Sequence, residues 1–323
     1  MSPRNPMNAR KQRIDDLAAS SVIVDDAGAV DEAPGVSLIA SAWRRLRRDP
    51  VFLLGATITG LFIIVAIIAP WIAPHDPDAR LLIDQVSRQS NPIPGPQDGF
   101  PLGADDRGRD LLSRLIVGSR QTLLVGVAAT LLGLFGGLVL GILAGAFGGA
   151  VDAFVMRAVD VMLSIPSLLL AVSIAALARQ PSQWTVIIAI AVVQIPVFAR
   201  LLRGSMLAQR SSDHVLAARA LGVKRSAIIF RHMVPNSLGP VIVQSTLVLA
   251  TSISDAAALS FLGLGNPDDA KPEWGQMLGQ AQVYIQDYPH LAVYPALCIV
   301  FVALGFTLMG ESLREALDPK SRR

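Results

Sequence analysis

Long apolar runs separated by short polar segments set the pattern of this chain. Six stretches fit, at about residues 51–73, 121–147, 153–178, 184–203, 236–259 and 290–310. A run of about 20 apolar residues matches a hydrocarbon core about 30 Å thick. The pattern therefore predicts an all-α integral membrane protein with six transmembrane helices. Between the fourth and fifth runs lies a polar island, residues 213–236, DHVLAARALGVKRSAIIFRHMVPN. Residues 213–221 are good helix formers with a charged minority, and Gly222 suits the left-handed position that ends a helix. Ser226 is predicted to cap a second short helix running through Met233, and Pro235 to stop it. The expected product is two short helices around a sharp corner at the water surface. A helix of about nine residues is about 14 Å long, the right size to sit in a cleft of another protein.

Other patterns refine the spans. Loop 74–120 falls into two parts. Residues 74–101 are rich in Pro and Asp and read as irregular. Residues 107–120, RGRDLLSRLIVGSR, place Leu111, Leu112, Leu115 and Ile116 at helical spacing among charges, which predicts an amphipathic helix lying in the interface. In the second span Gly133, Gly137, Gly141, Gly145 and Gly149 recur every four residues. Such a stripe permits close backbone approach, mainly within this subunit. Pro166 and Pro196 are expected to interrupt the third and fourth spans. Asp152, Arg157 and Asp160 begin the third span, and Arg157 is three residues from Asp160, which predicts an interfacial ion pair. Asp255, near the end of the fifth span, is a candidate for lining a polar path, together with Ser260.

Composition agrees with the pattern. The 323 residues are 52% hydrophobic and 16% charged, against about a quarter charged in soluble domains, and the mean hydropathy is +0.50. The formal charge of +3 and a pI near 9.3 reflect basic loops, since no aromatic-interleaved patch points to nucleic acid. Arg44, Arg45, Arg47 and Arg48 precede the first span, and Arg219, Lys224, Arg225 and Arg231 lie in the island. Arg314, Lys320, Arg322 and Arg323 lie in the tail. With six spans these regions share one side, which predicts cytoplasmic N and C termini. Loop 74–120 resists, with Arg80, Arg88, Arg107, Arg109, Arg114 and Arg120 on the other side. Residues 1–42 read as a disordered cytoplasmic extension without a signal peptide. Residues 43–110 read as the first span and its loop, and residues 111–323 as a five-helix core with a coupling loop at 204–235. Cys298, in an apolar run, reads as a small buried hydrophobe.

The island resembles the cytoplasmic loop of ABC importer permeases, a motif of Glu-Ala-Ala, a Gly and later an Ile-x-Leu-Pro. Ala217 and Ala218 match the alanines, Gly222 the glycine and Val234–Pro235 the terminal pair. Leu216 stands where the motif has its glutamate. PLGADDRGRDLLSRLIVGSR at 101–120, ALSFLGLG at 258–265, PEWGQML at 272–278, LREALDP at 313–319 and WRRLRRDPVFLLG at 43–55 are similar to the C-type permease subunit of dipeptide, oligopeptide and nickel importers. The resemblance covers roughly residues 43–319 and implies a type I ABC importer permease fold in the plasma (inner) membrane. It also implies a second, related permease subunit, two ATP-binding subunits and an extracytoplasmic solute-binding protein. The coupling element it implies is Asp213, His214, Val215, Leu216, Ala217, Ala218, Arg219, Ala220, Leu221, Gly222, Val223 and Pro235. The outer loops 74–110 and 263–289 would receive the binding protein, with Trp274 and Tyr284 as contacts or interfacial anchors.

No Gly-x-x-x-x-Gly-Lys-Ser/Thr loop occurs in the chain, so ATP and Mg are expected on partner chains. No catalytic residue, cofactor or metal is expected here. The resemblance leaves the solute open among di- and oligopeptides, nickel chelates and haem. An intramembrane aspartyl enzyme built on Asp160 and Asp255 has no protease motif behind it, and His75, His214, His232 and His290 are scattered. A passive channel would leave the island without a purpose.

Overall fold

The structure is a computed structural model that describes residues 38–86 and 93–317. The expected N-terminal extension, up to residue 37, lies outside the described residues, as do Arg88, Lys320, Arg322 and Arg323. Two units divide the chain, residues 1–44 and 45–323. The helix Leu38–Leu46 (α1) begins in the first and ends in the second.

The second unit is helical: α2 Pro50–Ile72, α3 Leu111–Phe147, α4 Gly149–Ser164, α5 Ser167–Ala176, α6 Gln183–Gln209, α7 Asp213–Ala220, α8 Arg225–Phe261, α9 Trp274–Ala281 and α10 His290–Leu317. Among the described residues five of these, α2, α3, α6, α8 and α10, are long and apolar enough to cross a membrane. The bent pair α4–α5 makes a sixth span if counted as one.

Helix ends follow local chemistry. Asp49 accepts a hydrogen bond from the Val51 backbone at 2.9 Å, and Pro50 opens α2 where its missing N–H costs nothing. Asp110 caps α3 by accepting from Ser113 N at 3.1 Å. Ser182 caps α6 through Thr185 N at 3.1 Å. The Asp110 cap corrects one expectation. Residues 111–120 are not a separate interfacial helix but the first three turns of α3, which runs unbroken to Phe147. Its apolar positions there, Leu111 and Leu115, are buried in protein rather than laid on lipid.

The two prolines behave differently. At Pro166 the third span breaks, with a 95° bend between α4 and α5. Ile165 takes extended backbone, as a residue before proline tends to, and Pro166 opens α5. Pro196, by contrast, sits inside a continuous α6 and does not interrupt it.

The centre of the bundle is the contact between α3 and α6. Gly133, Gly137, Gly141 and Gly145 are buried on α3. A Cβ at Gly137 would stand 2.3 Å from Phe198 Cβ and 2.9 Å from the Ile195 carbonyl. At Gly141 it would stand 2.9 Å from Leu202 Cβ, and at Gly145 3.0 Å from Met206 Cβ. The stripe therefore serves packing within the subunit, where small residues allow van der Waals contact that lipid cannot replace. Gly149 is not part of it. It opens α4 with φ +54° and has open space around it.

The ion pairs of this region also differ from expectation. Asp160 pairs with Arg200, and Asp152 with Arg203, whose Nη2 donates at 2.6 Å. Both pairs join α4 to α6 and do not involve Arg157. The packing of α6 on α4 brings Arg200 and Arg203 within reach of these carboxylates.

Replacing Gly137 with Ala is expected to destabilise the purified transporter by about 1–3 kcal/mol, the usual cost of overpacking a tight contact. Gly60→Ala, on α2 with nothing within 4 Å of the added methyl, is expected to leave stability unchanged or slightly raised. Thermal unfolding in detergent compares the two, and equal midpoints would remove the stripe from its central place.

Candidate functional site

Three arrangements of polar groups stand out, one at each end of the bundle and one on its flank. At the end where α3 stops and α6 leads into α7, the chain makes a corner. Leu221, Gly222 and Val223 close α7. Gly222 N–H donates to Arg219 O and Val223 N–H to Ala218 O, each at 3.0 Å, with Gly222 at φ +75°. This is the Schellman pattern, and the left-handed residue in it is the one glycine tolerates without strain. The space beside Gly222 is open, so the demand is on its backbone rather than on its bulk.

One face of α7 is anchored. Val215 and Ala218 are buried in a cluster with Phe198, Leu202 and Met206 of α6 and Ile229 and Met233 of α8. The other face is free, with Leu216 49% and Leu221 83% exposed, and Asp213, His214, Ala217 and Ala220 exposed beside them. Arg219, one turn on from Val215, is exposed at the edge of the anchored face. Leu216 thus presents an apolar surface where the motif's glutamate would stand.

The segment after the corner departs from expectation. Lys224, not Ser226, stands at the start of the next helix, and Ser226 lies inside it. No second short helix ends at Pro235. The chain passes from Arg225–Ala227 through a π-helical turn, Ile228–Met233, directly into Val234–Phe261. Pro235 falls in the first turn of that last segment, where a missing N–H is harmless. Of the expected loop 204–235, residues 204–209 belong to α6 and residues 225–235 to α8.

On the flank, α6, α8 and the α4–α5 corner enclose a groove of about 640 Å³. Gln244, Val248, Thr251 and Asp255 line it from α8 at helical spacing, and Gln194 faces them from α6. Asp255 is thus one of the groove's lining residues. Ser260 is placed elsewhere. It is buried, lies outside this groove and donates to Glu273 Oε2 at 2.6 Å.

At the opposite end, a buried polar network ties residues 75–114 to the segment after α8. Arg109 and Arg114 are 1% and 0% exposed. Arg109 Nε donates to Asp105 at 2.7 Å, and its Nη1 to Asp269 O at 3.1 Å. Arg114 reaches Pro77 O at 3.1 Å and Asp269 O at 3.3 Å, and Arg107 pairs with the Asp269 carboxylate. Trp274 is buried, donates to Leu115 O at 2.8 Å and packs on Phe62. It is neither an exposed contact nor an interfacial anchor. Tyr284 is half-buried against the same cluster.

Glu273, which the sequence pattern did not single out, starts α9 at 6% exposure. Burial pushes its carboxyl up to about 7, against a smaller opposing effect of the Ser260 hydrogen bond. Gln121, Gln183, Asn266 and Lys271 surround the small space beside it. Asp106 is likewise raised, by burial and then by neighbouring Asp105. Glu273 lies within the PEWGQML motif, but no spacing or charge pattern marks it there as a buried acid, which packing alone reveals.

Residues 137–323 match the model of the binding-protein-dependent transport system inner membrane component, and residues 37–92 that of the N-terminal TM domain of oligopeptide transport permease C. The chain is 40% identical over 295 residues to the dipeptide transport system permease protein DppC of Alkalihalophilus pseudofirmus, covering 90% of this chain and 93% of that one. It is 41% identical over 278 residues to the glutathione transport system permease protein GsiD of Escherichia coli, covering 86% and 89%. Its fold is similar to a chain of the MetNI methionine ABC transporter in an inward-facing conformation, with a TM-score of 0.52 at 20% identity over 64% of this chain and 96% of that one. An all-helical ABC permease fold is thereby defined. The chain belongs to the binding-protein-dependent transport system inner membrane component family and is a permease subunit of an ABC importer.

Glu273 has a pH signature. Its folded value of about 7 lies above the ordinary 4.5, so the folded state keeps a proton that the unfolded chain has lost. Stability from this group is full below pH 4.5, falls as pH rises to about 7 and is flat above that. The fall is on the order of 3 kcal/mol at most. Thermal unfolding of the purified transporter across this range should show the decline, and Glu273→Gln should remove that part of it. An unchanged slope in the variant would reject the assignment.

Proposed function

We propose that this subunit carries di- or oligopeptides, glutathione-like peptides included, across the inner membrane, and that α7 with Gly222 is where ATP-driven motion enters it. The observation that carries the reading is the two-faced α7. Val215 and Ala218 lock it to α6 and α8, while Leu216 and Leu221 are left outward. A push on the outer face must move two membrane helices together. The names of the relatives, dipeptide and glutathione permeases, support a peptide substrate.

The partners in this reading are a second permease subunit, two ATP-binding subunits that bind ATP and Mg, and an extracytoplasmic solute-binding protein. The groove with Asp255 forms one wall of the path, and the second permease supplies the other. Its glutamine, threonine and carboxylate groups can exchange hydrogen bonds with a peptide backbone. Switching access strongly between the two sides takes about 5.5 kcal/mol of differential binding, which ATP closure of the partner subunits supplies. The α7 end then faces the cytoplasm, with both termini on that side. The buried arginines support this orientation. Arg107, Arg109 and Arg114 are engaged with Asp105, Asp269 and backbone carbonyls, so they are not the free positive charges that set topology. Residues 43–110 then act as the first span with its outer loop, and residues 111–323 as the coupled core.

Gly222→Val tests the reading. A β-branched residue at φ +75° carries about 1–2 kcal/mol of strain, and relieving it unwinds the corner. The complex should assemble and hydrolyse ATP, while uptake falls about tenfold or more, since a 1.4 kcal/mol change already alters an equilibrium tenfold. Normal uptake would remove the coupling role. Cysteines at Leu216 and Leu221 should crosslink to an ATP-binding subunit and Val215→Cys should not, because Val215 is buried. Crosslinks from Leu216 to the solute-binding protein would invert the topology.

A further inference from the structure

Beneath α7, on the side away from its exposed leucines, lies a second cavity that the transport reading does not use. It measures about 370 Å³, far more than the roughly 10–15 Å³ a single water needs. Its walls come from the end of α3, the end of α6, α7 and the start of α8. Arg210, Arg219 and Arg225 line it together with apolar Val223, Ile228 and Met233. No carboxylate is among the lining residues. Among the described residues none pairs with these three arginines within ion-pair distance. Asp152, which interacts electrostatically with Arg210, is already chelated by Arg203.

Three arginines lining one partly apolar space with no acid among the lining residues favour an anion there, which would relieve their mutual repulsion. Each guanidinium presents a planar fork of donors suited to phosphate oxygens. Arg225 is partly occupied, donating to Ala146 O at 2.7 Å at the end of α3, and it lies 5.9 Å from the centre of the Phe147 ring. Phe147 itself is 58% exposed. Phe147 ends the apolar run 121–147, the point at which a spanning helix leaves the hydrocarbon core. The cavity thus combines positive charge, apolar walls and an aromatic rim at the membrane surface.

We propose that this cavity binds the phosphodiester headgroup of an anionic phospholipid, with Arg210 and Arg219 on the phosphate and Phe147 beside the start of an acyl chain. Basic pockets between membrane helices at a membrane surface bind such headgroups. The position under α7, behind its anchored face, favours a lipid over an acidic side chain of an ATP-binding subunit, which meets the outer face. A headgroup here would stiffen the joint between α6, α7 and α8, so the coupling corner would work only in a membrane containing anionic lipid.

The test is native mass spectrometry of the complete transporter in neutral detergent, with phosphatidylglycerol, phosphatidylcholine or inorganic phosphate added separately. Phosphatidylglycerol should be retained, with neither phosphatidylcholine nor inorganic phosphate displacing it. Arg210→Gln with Arg219→Gln should lower the phosphatidylglycerol-bound fraction about tenfold or more, as expected for the loss of two cations at a membrane surface, and the two Lys replacements should restore much of it. Equal retention of both lipids, or unchanged retention in the Gln variant, would overturn the proposal. So would displacement by inorganic phosphate, which would mark a site for free anions. Loss of the ATP-binding subunits with lipid binding intact would assign the arginines to that partner instead. Arg210→Gln alone, which leaves α7 unaltered, decides the matter where the double variant does not assemble.

Discussion

The contact between α3 and α6 is the constraint from which the rest of this molecule hangs. In lipid there is no hydrophobic gain in bringing two helices together, so they must gain by fitting closely. Four buried glycines on α3 let Phe198, Leu202 and Met206 of α6 come within distances that a single methyl group would forbid. Because α3 runs unbroken for 37 residues, about 55 Å at 1.5 Å per residue, this pair acts as a strut through the whole bundle. Each end of the strut then holds a different machine part.

At one end the strut holds α7. Phe198, Leu202 and Met206, which fill the glycine stripe, also belong to the cluster that buries Val215 and Ala218. The corner at Gly222 is therefore tied to the most tightly packed helix pair in the subunit. At the other end Arg109, Arg114 and Trp274 lock the loop before α3 to the segment after α8. Burying two arginines is costly unless they are paired. Asp105 and the carbonyls of Pro77 and Asp269 meet part of that demand, and Nη2 of each arginine stays without a hydrogen-bond partner among the described residues. The groove lies on the flank between these two ends, beside Asp255.

The flank also explains why the α4–α5 pair differs from the other spans. Its two helices are bent by 95° at Ile165 and Pro166, and the corner itself lines the groove. Irregular backbone at membrane depth is tolerated where it borders a cavity or protein rather than lipid. The pairs Asp160–Arg200 and Asp152–Arg203 stitch α4 to α6, so the bend is held from one side while its corner lines the groove.

Much of this was legible in the chain itself, because apolar length and small-residue spacing are local quantities. Six apolar runs, the glycine stripe and the corner at Gly222 follow from periodicity and from the one residue that accepts a left-handed backbone. The family motifs added the fold. What the tertiary structure decided were the matters that depend on a neighbour from elsewhere in the chain. Arg157 is closer in sequence to Asp160 than Arg200 is, yet α6 delivers Arg200 to it. Ser260 and Asp255 are five residues apart on one helix, and that spacing turns them to different sides, one to Glu273 and one to the groove. Residues 107–120 looked amphipathic because charges alternate with Leu111, Leu112, Leu115 and Ile116, and only packing shows that Arg109 and Arg114 are buried beside Asp105. The sequence determined which segments enter the membrane, since transfer from water depends on each segment alone. The structure determined which polar groups face one another, since a charge in a low-dielectric bundle is placed by whichever partner can reach it.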